Sequence, residues 1–163
     1  VSGVPAMGYA VVTPATRSNS VTVDGRTIES PAYRLVFDEN CNIVSLFDKE
    51  NGRELVQEGE AFCLQAYEDF PKEYDAWEIS YYYKQKKWQI DEVVSCEPVF
   101  DGARAGLKIV KKFLDSTITQ TIYLYEDSRR IDIENVIDWK QAHILLKAAF
   151  PTNIRPTTSS SGM

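Results

Sequence analysis

The sequence is most restrictive through the side chains that it lacks. Only one histidine, His143, occurs in the 163 residues, which excludes metal sites and catalytic groups built from paired histidines. The eight glycines are dispersed, and neither a glycine-rich phosphate loop nor a Gly-x-Ser-x-Gly nucleophile turn is present. Cys41, Cys63 and Cys96 occur without a CxxC pair, a pattern typical of reduced thiols in a cytosolic protein rather than of a zinc site.

The chain also lacks a net positive charge and long apolar segments. The formal net charge is -6, which repels a phosphate backbone, and no apolar run is long enough to cross a bilayer. Residues 84–87 and 111–112 form the densest basic clusters, and we expect both to lie on solvated strand edges. The first residues, Val1-Ser2-Gly3, do not resemble a secretory signal. We therefore expect no nucleic-acid or membrane partner and a cytoplasmic location.

What the chain does contain is a repeated alternation of apolar and polar residues. In 105–113, 117–124 and 131–139, apolar side chains occupy most of the alternate positions. This period of two predicts strands with one buried face, and residues 33–47 predict a hairpin around the polar turn at 38–42. Because no helical period of useful length appears, the fold class predicted is all-β, as an antiparallel β-sandwich.

The apolar segment 142–150 ends at Pro151 and predicts a strand buried on both faces, although a short buried helix fits the same pattern. No internal repeat appears, which argues against a propeller or solenoid. We assign residues 4–155 to one β-sandwich domain. Residues 156–163 are small and polar, and we expect them to form a flexible tail or a cut end.

Acidic and aromatic residues are interleaved between residues 67 and 88. Carboxylates in an aromatic setting suit sugars, whose C–H faces stack on rings while their hydroxyls bond charged groups. The candidate carboxylates are Glu68, Asp69, Glu73 and Asp75; the aromatic residues are Tyr67, Phe70, Tyr74, Trp77, Tyr81, Tyr82, Tyr83 and Trp88. Packing in a core or against a neighbouring domain is the simpler explanation, and in the latter case the segment should be exposed here.

Several segments together resemble the C-terminal β-domain of the α-mannosidases of glycoside hydrolase family 38, of the bacterial and cytosolic type. Residues 33–50 resemble the family's "YR-x-x-FDE-x-G-x-I-x-S-x-x-DK" hairpin, and 69–79 resemble its "D-x-P-x-x-WDAWDI" segment. Residues 139–151 resemble "W-x-x-x-H-x-LLK-x-x-FP". The likeness covers about residues 4–155, and three motifs in the right order make it specific.

The sequence departs from these motifs at a few positions. Cys41 stands where the hairpin has glycine, and Cys63 stands where asparagine is expected. Tyr74 replaces the first tryptophan of the Asp-Ala-Trp segment, and Glu78 replaces its second aspartate. A residue other than glycine in a tight turn raises the question of whether the turn keeps its backbone type.

The resemblance implies a sandwich of the galactose-mutarotase-like supersandwich type, or an incomplete part of it. The full enzymes of the family are retaining, zinc-dependent α-mannosidases whose nucleophile and zinc ligands lie in an N-terminal barrel and a helical region. None of those motifs occurs in this chain, so we assign no catalytic residue, metal ligand or cofactor to it. His143 is not a match to the zinc-ligand motif, and we expect an ordinary histidine at a strand entry.

We therefore interpret the chain as a fragment of an α-mannosidase that supports the barrel and is inactive alone. Its expected partners are the N-terminal barrel and helical domain of the same polypeptide and mannose-containing glycans. Tyr74, Asp75 and Trp77 are the candidate substrate-binding residues. The alternative is a stand-alone carbohydrate-binding or structural β-module; a mutarotase-like enzyme is disfavoured because, by family resemblance, such sites use paired histidines.

Overall fold

Residues 20–74 and 77–154 are described by the structure, a computed structural model. They form β-strands and one short 3-10 helix, Tyr81–Gln85, and contain no α-helix. The strands are β1 (Thr22–Asp24), β2 (Thr27–Glu29), β3 (Tyr33–Phe37), β4 (Ile43–Asp48), β5 (Arg53–Glu54), β6 (Cys63–Glu68), β7 (Lys87–Gln89), β8 (Glu92–Asp101), β9 (Arg104–Phe113), β10 (Ser116–Tyr125), β11 (Ile131–Asp138) and β12 (Ile144–Ala149). The predicted all-β class is confirmed.

The strands assemble into three antiparallel sheets. Their orders are β1-β2-β3-β4-β5, β11-β10-β9-β8 and β12-β6-β7. Ile43 and Phe62 exchange backbone hydrogen bonds of 3.1 and 2.9 Å, which join the five-stranded sheet to the three-stranded sheet. These two sheets make one layer of the sandwich, and the four-stranded sheet makes the other.

Two apolar cores lie between the layers. In the larger core, Ile28 and Leu35 of the five-stranded sheet are fully buried together with Leu107 and Ile122 of the four-stranded sheet. The smaller core lies under the three-stranded sheet and contains Leu64, Ala66, Ile90 and Ile118, with Trp88, Phe113 and Trp139 packed around it. Both cores use the same inner face of the four-stranded sheet, so the antiparallel sandwich is confirmed.

Strand β10 shows why the alternating pattern was informative. Ile118, Ile122 and Leu124 point inward and are almost fully buried, whereas Thr117 and Thr121 lie on the other face. Successive side chains of a strand point to opposite faces, so this sequence is compatible with one buried face. Threonine also has a branched Cβ, which favours an extended backbone.

Two local predictions from the sequence are wrong. Residues 144–149 form a strand, which excludes the helix, but β12 lies at the edge of its sheet and Lys147 on its outer face is exposed, so it is not buried on both faces. Lys111 does not lie on a solvated edge; it is 3% exposed, because β9 is a central strand and turns this side chain into the sandwich. Neither position in the sheet follows from the local pattern.

The start of the predicted domain 4–155 and the tail 156–163 lie outside the described residues, so these limits stay predictions. Across the part of the chain that the structure describes, no helix has the length and apolar character needed to span a membrane. The closer assignment to the galactose-mutarotase-like type depends on the family resemblance.

Candidate functional site

The first of the three motifs, the hairpin of β3 and β4, uses its polar side chains to close its own turn. Oδ1 of Asp38 accepts hydrogen bonds from the backbone N–H groups of Asn40 (2.9 Å) and Asn42 (2.7 Å). Cys41 has φ 54°, in the left-handed region that favours glycine. The turn therefore keeps a backbone conformation that suits the glycine of the resembled motif, although cysteine occupies the position.

Asp48, at the end of the same hairpin, organises the next turn. Its carboxylate accepts from the backbone N–H groups of Glu50 (3.1 Å) and Asn51 (3.2 Å), from Asn51 Nδ2 (2.7 Å) and from Arg129 Nη2 (2.9 Å). These bonds, led by that of the Asn51 side chain, lower the pKa of Asp48 against the opposing effect of desolvation. All these donors come from the described sandwich, so the carboxylate has a structural role here.

Glu54 of β5 behaves in the same way. It accepts a hydrogen bond from Ser45 Oγ (2.6 Å) and from three backbone N–H groups, those of Leu46, Leu55 and Val56, at 2.8 to 2.9 Å. Desolvation is the largest single influence and raises the pKa of Glu54, but the four hydrogen bonds together outweigh it and the pKa is lowered. The ionised carboxylate thus stabilises the strand pairing beside the hairpin.

Asn42 connects the hairpin to the opposite layer. Its Oδ1 accepts a hydrogen bond of 2.7 Å from Nζ of Lys111, and its Nδ2 donates to Asp38 (3.2 Å) and Asp91 (3.1 Å). Nζ of Lys111 also donates to the carbonyl oxygen of Ile90 at 3.1 Å. Burial lowers the pKa of Lys111, while the nearby carboxylate of Asp91 opposes this shift. No local sequence pattern predicts this network, because its members are far apart in the chain.

The second and third motifs meet at one end of the three-stranded sheet. The backbone N–H of Asp69, just after β6, donates to the carbonyl oxygen of His143, just before β12, at 2.8 Å. The rings of Phe70 and His143 stack with centroids 4.5 Å apart and an interplanar angle of 19°. His143 therefore lies at a strand entry, as predicted. Pairing of β6 with β12 brings together two motifs that are separate in the sequence.

Two of the three candidate substrate-binding residues lie in the loop that follows. The exposed fractions of Tyr74 and Trp77 are 73% and 90%. The N–H of Trp77 donates to the carbonyl oxygen of Tyr74 at 2.7 Å, and Tyr74 has φ 54°, so a tight turn presents both side chains outward. Asp75 lies outside the described residues. The role of these three residues in substrate binding stays a prediction.

The exposed aromatic segment, which we define as the described residues between 70 and 82, presents several large apolar side chains to solvent. Its exposed large side chains are Phe70, Tyr74, Trp77, Ile79, Tyr81 and Tyr82. Isolated exposed apolar residues are common, whereas several large ones within a short segment are typical of surfaces that contact another molecule or domain. The exposure expected for packing against a neighbour outside this chain is thus observed.

Beside this segment, an aromatic and lysine cluster covers the outer face of the three-stranded sheet. Tyr67 of β6 and Tyr83 of the 3-10 helix pack edge to face, with centroids 5.2 Å apart. Nζ of Lys147 donates to Oη of Tyr83 at 2.9 Å and lies 4.8 Å from that ring centroid. This bond lowers the pKa of Tyr83 and raises that of Lys147. It fixes the 3-10 helix, and with it one end of the exposed segment.

Of the candidate carboxylates, Glu68, Asp69 and Glu73 belong to the described residues, and their surroundings differ. Glu68 is bound to Nζ of Lys86 at 2.6 Å, and Glu73 is exposed. Oδ1 of Asp69 is buried and has no hydrogen-bond partner among the described residues. Phe70, Glu68 and Lys86 border a cavity of about 110 Å³, smaller than the usual 300 to 1,000 Å³ of ligand pockets. This end of the sheet thus combines exposed aromatic rings, an ion pair and a small cavity.

A zinc ion, which the resemblance implies for the full enzyme, does not fit the side chains described here. Within residues 20–74 and 77–154, no three His, Cys, Asp or Glu side chains are grouped so that they could hold a metal. His143 has its ring against Phe70 instead of beside carboxylates or thiols. We therefore derive no chemical step through zinc in this chain.

Comparison with known proteins agrees with the motifs. Residues 28–162 match the family described as the Glycosyl hydrolases family 38 C-terminal domain. The chain is 26% identical over 176 residues to Alpha-mannosidase 2C1 of Homo sapiens, in an alignment covering 96% of this chain and 16% of that protein. It is 28% identical over 138 residues to Alpha-mannosidase G of Dictyostelium discoideum, covering 78% of this chain and 12% of that protein. The chain thus corresponds to less than a fifth of the length of these relatives.

Proposed function

The chain belongs to the Glycosyl hydrolases family 38 C-terminal domain family, and from this membership we propose that it functions as part of an α-mannosidase that hydrolyses terminal α-mannosides. The match over residues 28–162 is the observation that carries the proposal. The relatives are themselves α-mannosidases, and they are several times longer than the aligned region. We accordingly place the catalytic groups in other parts of a longer polypeptide.

In this proposal the sandwich supports an N-terminal barrel and a helical domain, which carry out retaining, zinc-dependent hydrolysis, and it has no activity alone. The expectation of inactivity is supported by the carboxylates described above, since Glu68 is tied to Lys86 and the hairpin acids are tied to turns. The unpaired thiols of Cys41, Cys63 and Cys96 suit the cytoplasmic location that we propose.

We assign the exposed aromatic segment to the border between this domain and the sugar-binding cleft. Tyr74 and Trp77 project outward from a tight turn, and aromatic faces stack on the C–H faces of a mannose ring. Asp75, between them in the sequence, would accept hydrogen bonds from sugar hydroxyls. The stack of Phe70 on His143 supports the base of this loop.

Hydrolysis of an aryl α-mannoside tests whether catalysis requires the other parts of the polypeptide. We expect no turnover by the 163-residue chain, with or without added zinc, and metal-dependent release of the aryl alcohol by this chain would contradict the proposal. In a longer polypeptide that includes the upstream region, we expect hydrolysis. There, Trp77→Ala should lower kcat/KM at least tenfold, whereas Phe100→Ala, which removes an exposed ring from β8, should leave it unchanged.

A second candidate function is a self-sufficient carbohydrate-binding module, which the 90% exposure of Trp77 favours. Calorimetric titration of the isolated chain with mannose oligosaccharides separates the two functions. A module should bind with a measurable affinity that Trp77→Ala abolishes and Phe100→Ala preserves. Absence of binding in all three proteins would eliminate the module and leave the role within a larger enzyme.

A further inference from the structure

Two cysteines from different layers of the sandwich meet in its larger core. Cys41 lies in the turn between β3 and β4 and is 3% exposed, and Cys96 lies on β8 at the margin of the same core. Cys96 is one of the partly buried residues packed against the core that contains Cys41, and the Cys41 thiol is one of the neighbouring groups that raise the pKa of Cys96. Both thiols are free. The pair is therefore placed across the two layers, where a covalent bond would connect them.

The turn holds Cys41 in this inward position. The N–H of Cys41 donates to the carbonyl oxygen of Asp38 at 3.1 Å, and the carboxylate of Asp38 binds the next N–H, that of Asn42, at 2.7 Å. Cys41 itself has φ 54°. The N–H groups of both neighbours, Asn40 and Asn42, donate to Oδ1 of Asp38. The turn therefore sets the direction of the Cα–Cβ bond of Cys41.

The position of Cys96 is set by the pairing of β8 with β9. Asn42 is tied by the 2.7 Å bond to Lys111 of β9, and Ile109, two residues before Lys111 on the same strand, is the partner of Cys96 in the β8–β9 ladder. The side chains of Lys111, Ile109 and Cys96 accordingly share the inner face. This register positions Cys96 next to the turn that carries Cys41.

Cys63 provides an internal comparison. It lines a cavity of about 20 Å³ together with Cys41 and Lys111. Its sulfur accepts a hydrogen bond of 3.4 Å from Nε2 of Gln65 on the outer face of β6. It is therefore near Cys41 but engaged elsewhere, and it supplies a third thiol against which selectivity can be measured.

We propose that Cys41 and Cys96 form a specific disulfide site that joins the two layers of the sandwich under oxidising conditions. Oxidised glutathione is a sufficient oxidant: one cysteine thiolate attacks it, forms a mixed disulfide and releases one glutathione, and the second cysteine then attacks the protein sulfur and releases another. The two thiols lose two electrons and two protons, and the oxidised glutathione becomes two molecules of reduced glutathione. Reduction reverses the process.

Burial should slow the oxidation of this site in the folded protein. Burial is the largest influence in raising the pKa of the Cys96 thiol to about 12, and the neighbouring Cys41 thiol is the next. The thiolate is the attacking species, so the folded, reduced protein should react slowly. Oxidation should be much faster when the chain refolds in the presence of oxidant, because the thiols then react before they are enclosed.

The test is refolding of the 163-residue chain from urea in a buffer of oxidised and reduced glutathione, followed by acid quenching and intact mass measurement. The expected product is a monomer that is lighter by about 2 Da, the mass of two hydrogens, and retains one titratable thiol in denaturant. Peptide mapping should connect Cys41 to Cys96. The oxidised protein should melt higher than the reduced protein by on the order of 5 °C, because the unfolded chain is constrained by a closed loop.

Matched variants make the result specific. Cys63→Ser should still form the bond and should then retain no titratable thiol, whereas Cys41→Ser and Cys96→Ser should show no such mass loss as monomers. The mapping of the unmodified chain is independent of whether these variants fold. A bond that includes Cys63, a bond between chains, or three titratable thiols after refolding would each overturn the proposal. None of these outcomes depends on the mannosidase assignment.

Discussion

The hairpin motif at 33–50 and the exposed aromatic segment at 70–82 both resemble family signatures, yet they differ in where their side chains make contacts. Asp38 and Asp48 bond to neighbouring backbone and side-chain donors, and Asn42 reaches across the sandwich to Lys111. Tyr74 and Trp77 instead point away from the described residues. The comparison teaches that resemblance to a family motif identifies two kinds of residue: some that build the domain and others that are available to act outside it.

The difference has a simple energetic basis. A buried polar group without a partner destabilises a fold, so a sequence that keeps Asp48 and Asn42 inside must also keep their partners. An exposed aromatic ring contributes little to folding, because its apolar surface stays in water. Substitutions can therefore separate the two regions by their effect on stability alone.

The largest expected difference in stability is between alanine substitutions of two tryptophans, Trp88 and Trp77. Trp88 packs against Phe113 in the smaller core, with centroids 6.1 Å apart, whereas Trp77 is 90% exposed. Trp88→Ala should lower the free energy of unfolding by about 2 to 4 kcal/mol, and Trp77→Ala should change it by less than about 0.5 kcal/mol. Urea denaturation of both variants measures this. Equal losses would show that the exposed segment is part of the folding core, against the comparison drawn here.

The next largest effect should come from Asn42. Asn42→Ala leaves the buried Lys111 ammonium without its 2.7 Å acceptor, and we expect a loss of about 2 to 3 kcal/mol in the free energy of unfolding. Adding Lys111→Met removes the buried ammonium group that has lost this acceptor and should recover part of that loss. Lys108→Met, on the exposed face of the same strand, is the control and should recover nothing. Strictly additive effects of the Asn42 and Lys111 substitutions would argue against the network.

A smaller, pH-dependent effect is expected at Glu54. Its pKa is lowered in the folded protein, so its stabilising contribution is present above the pKa of the unfolded chain and is lost as the pH falls through the folded pKa. At pH 7, Glu54→Gln should cost about 1 kcal/mol, because neutral Gln replaces a charged acceptor of four hydrogen bonds. The difference from the unsubstituted protein should shrink as the pH is lowered from about 5, above the pKa of about 4.3 of an unfolded glutamate, to about 3.

Urea denaturation across this pH range provides the measurement for Glu54. Glu58→Gln, at an exposed carboxylate in the loop after β5, is the matched control. A difference for Glu54→Gln that stays constant or widens as the solution becomes more acidic would refute the assigned role of the ionised carboxylate.

The smallest expected effect concerns backbone strain in the two regions. Leu114 and Tyr74 have φ 52° and 54°, and Leu114 is 65% exposed in the turn between β9 and β10. Leu114→Gly should raise the free energy of unfolding by about 0.5 to 1 kcal/mol, because glycine adopts this backbone without strain. Tyr74→Gly should do the same, but it should also lower the activity of the longer enzyme. Leu114→Ala and Tyr74→Ala, which keep the strain, are the controls; thermal melts and kcat/KM are the readouts.

Activity that is unchanged in Tyr74→Gly would remove Tyr74 from the proposed sugar-binding border and leave it as an ordinary strained turn residue. A stability gain at Leu114 without one at Tyr74 would show that the aromatic side chain makes a compensating contact in the domain. Each result would show whether Tyr74 contributes to the sandwich or acts outside it.

Part of the candidate site was predictable because its signal is local. The hairpin at 33–47 follows from alternating apolar residues around a polar turn, and the aromatic residues between 67 and 88 are visible in the sequence, where their exposure was expected only for packing against a neighbouring domain. The contacts that give these segments their roles join residues distant in sequence. Tyr83 meets Lys147 across 64 positions, and Asn42 meets Lys111 across 69. Only pairing of the strands brings such residues within hydrogen-bonding distance.

The sequence alone determined that this protein is an all-β member of its family, because alternation follows directly from the two faces of a strand and the motifs are local. The tertiary structure decided that β12 is an edge strand, that Lys111 is buried beside Asn42, and that the Asp69 and His143 motifs meet. The physical reason is that burial depends on a strand's neighbours in the sheet and on the layer above it. Those neighbours are contributed by other parts of the chain.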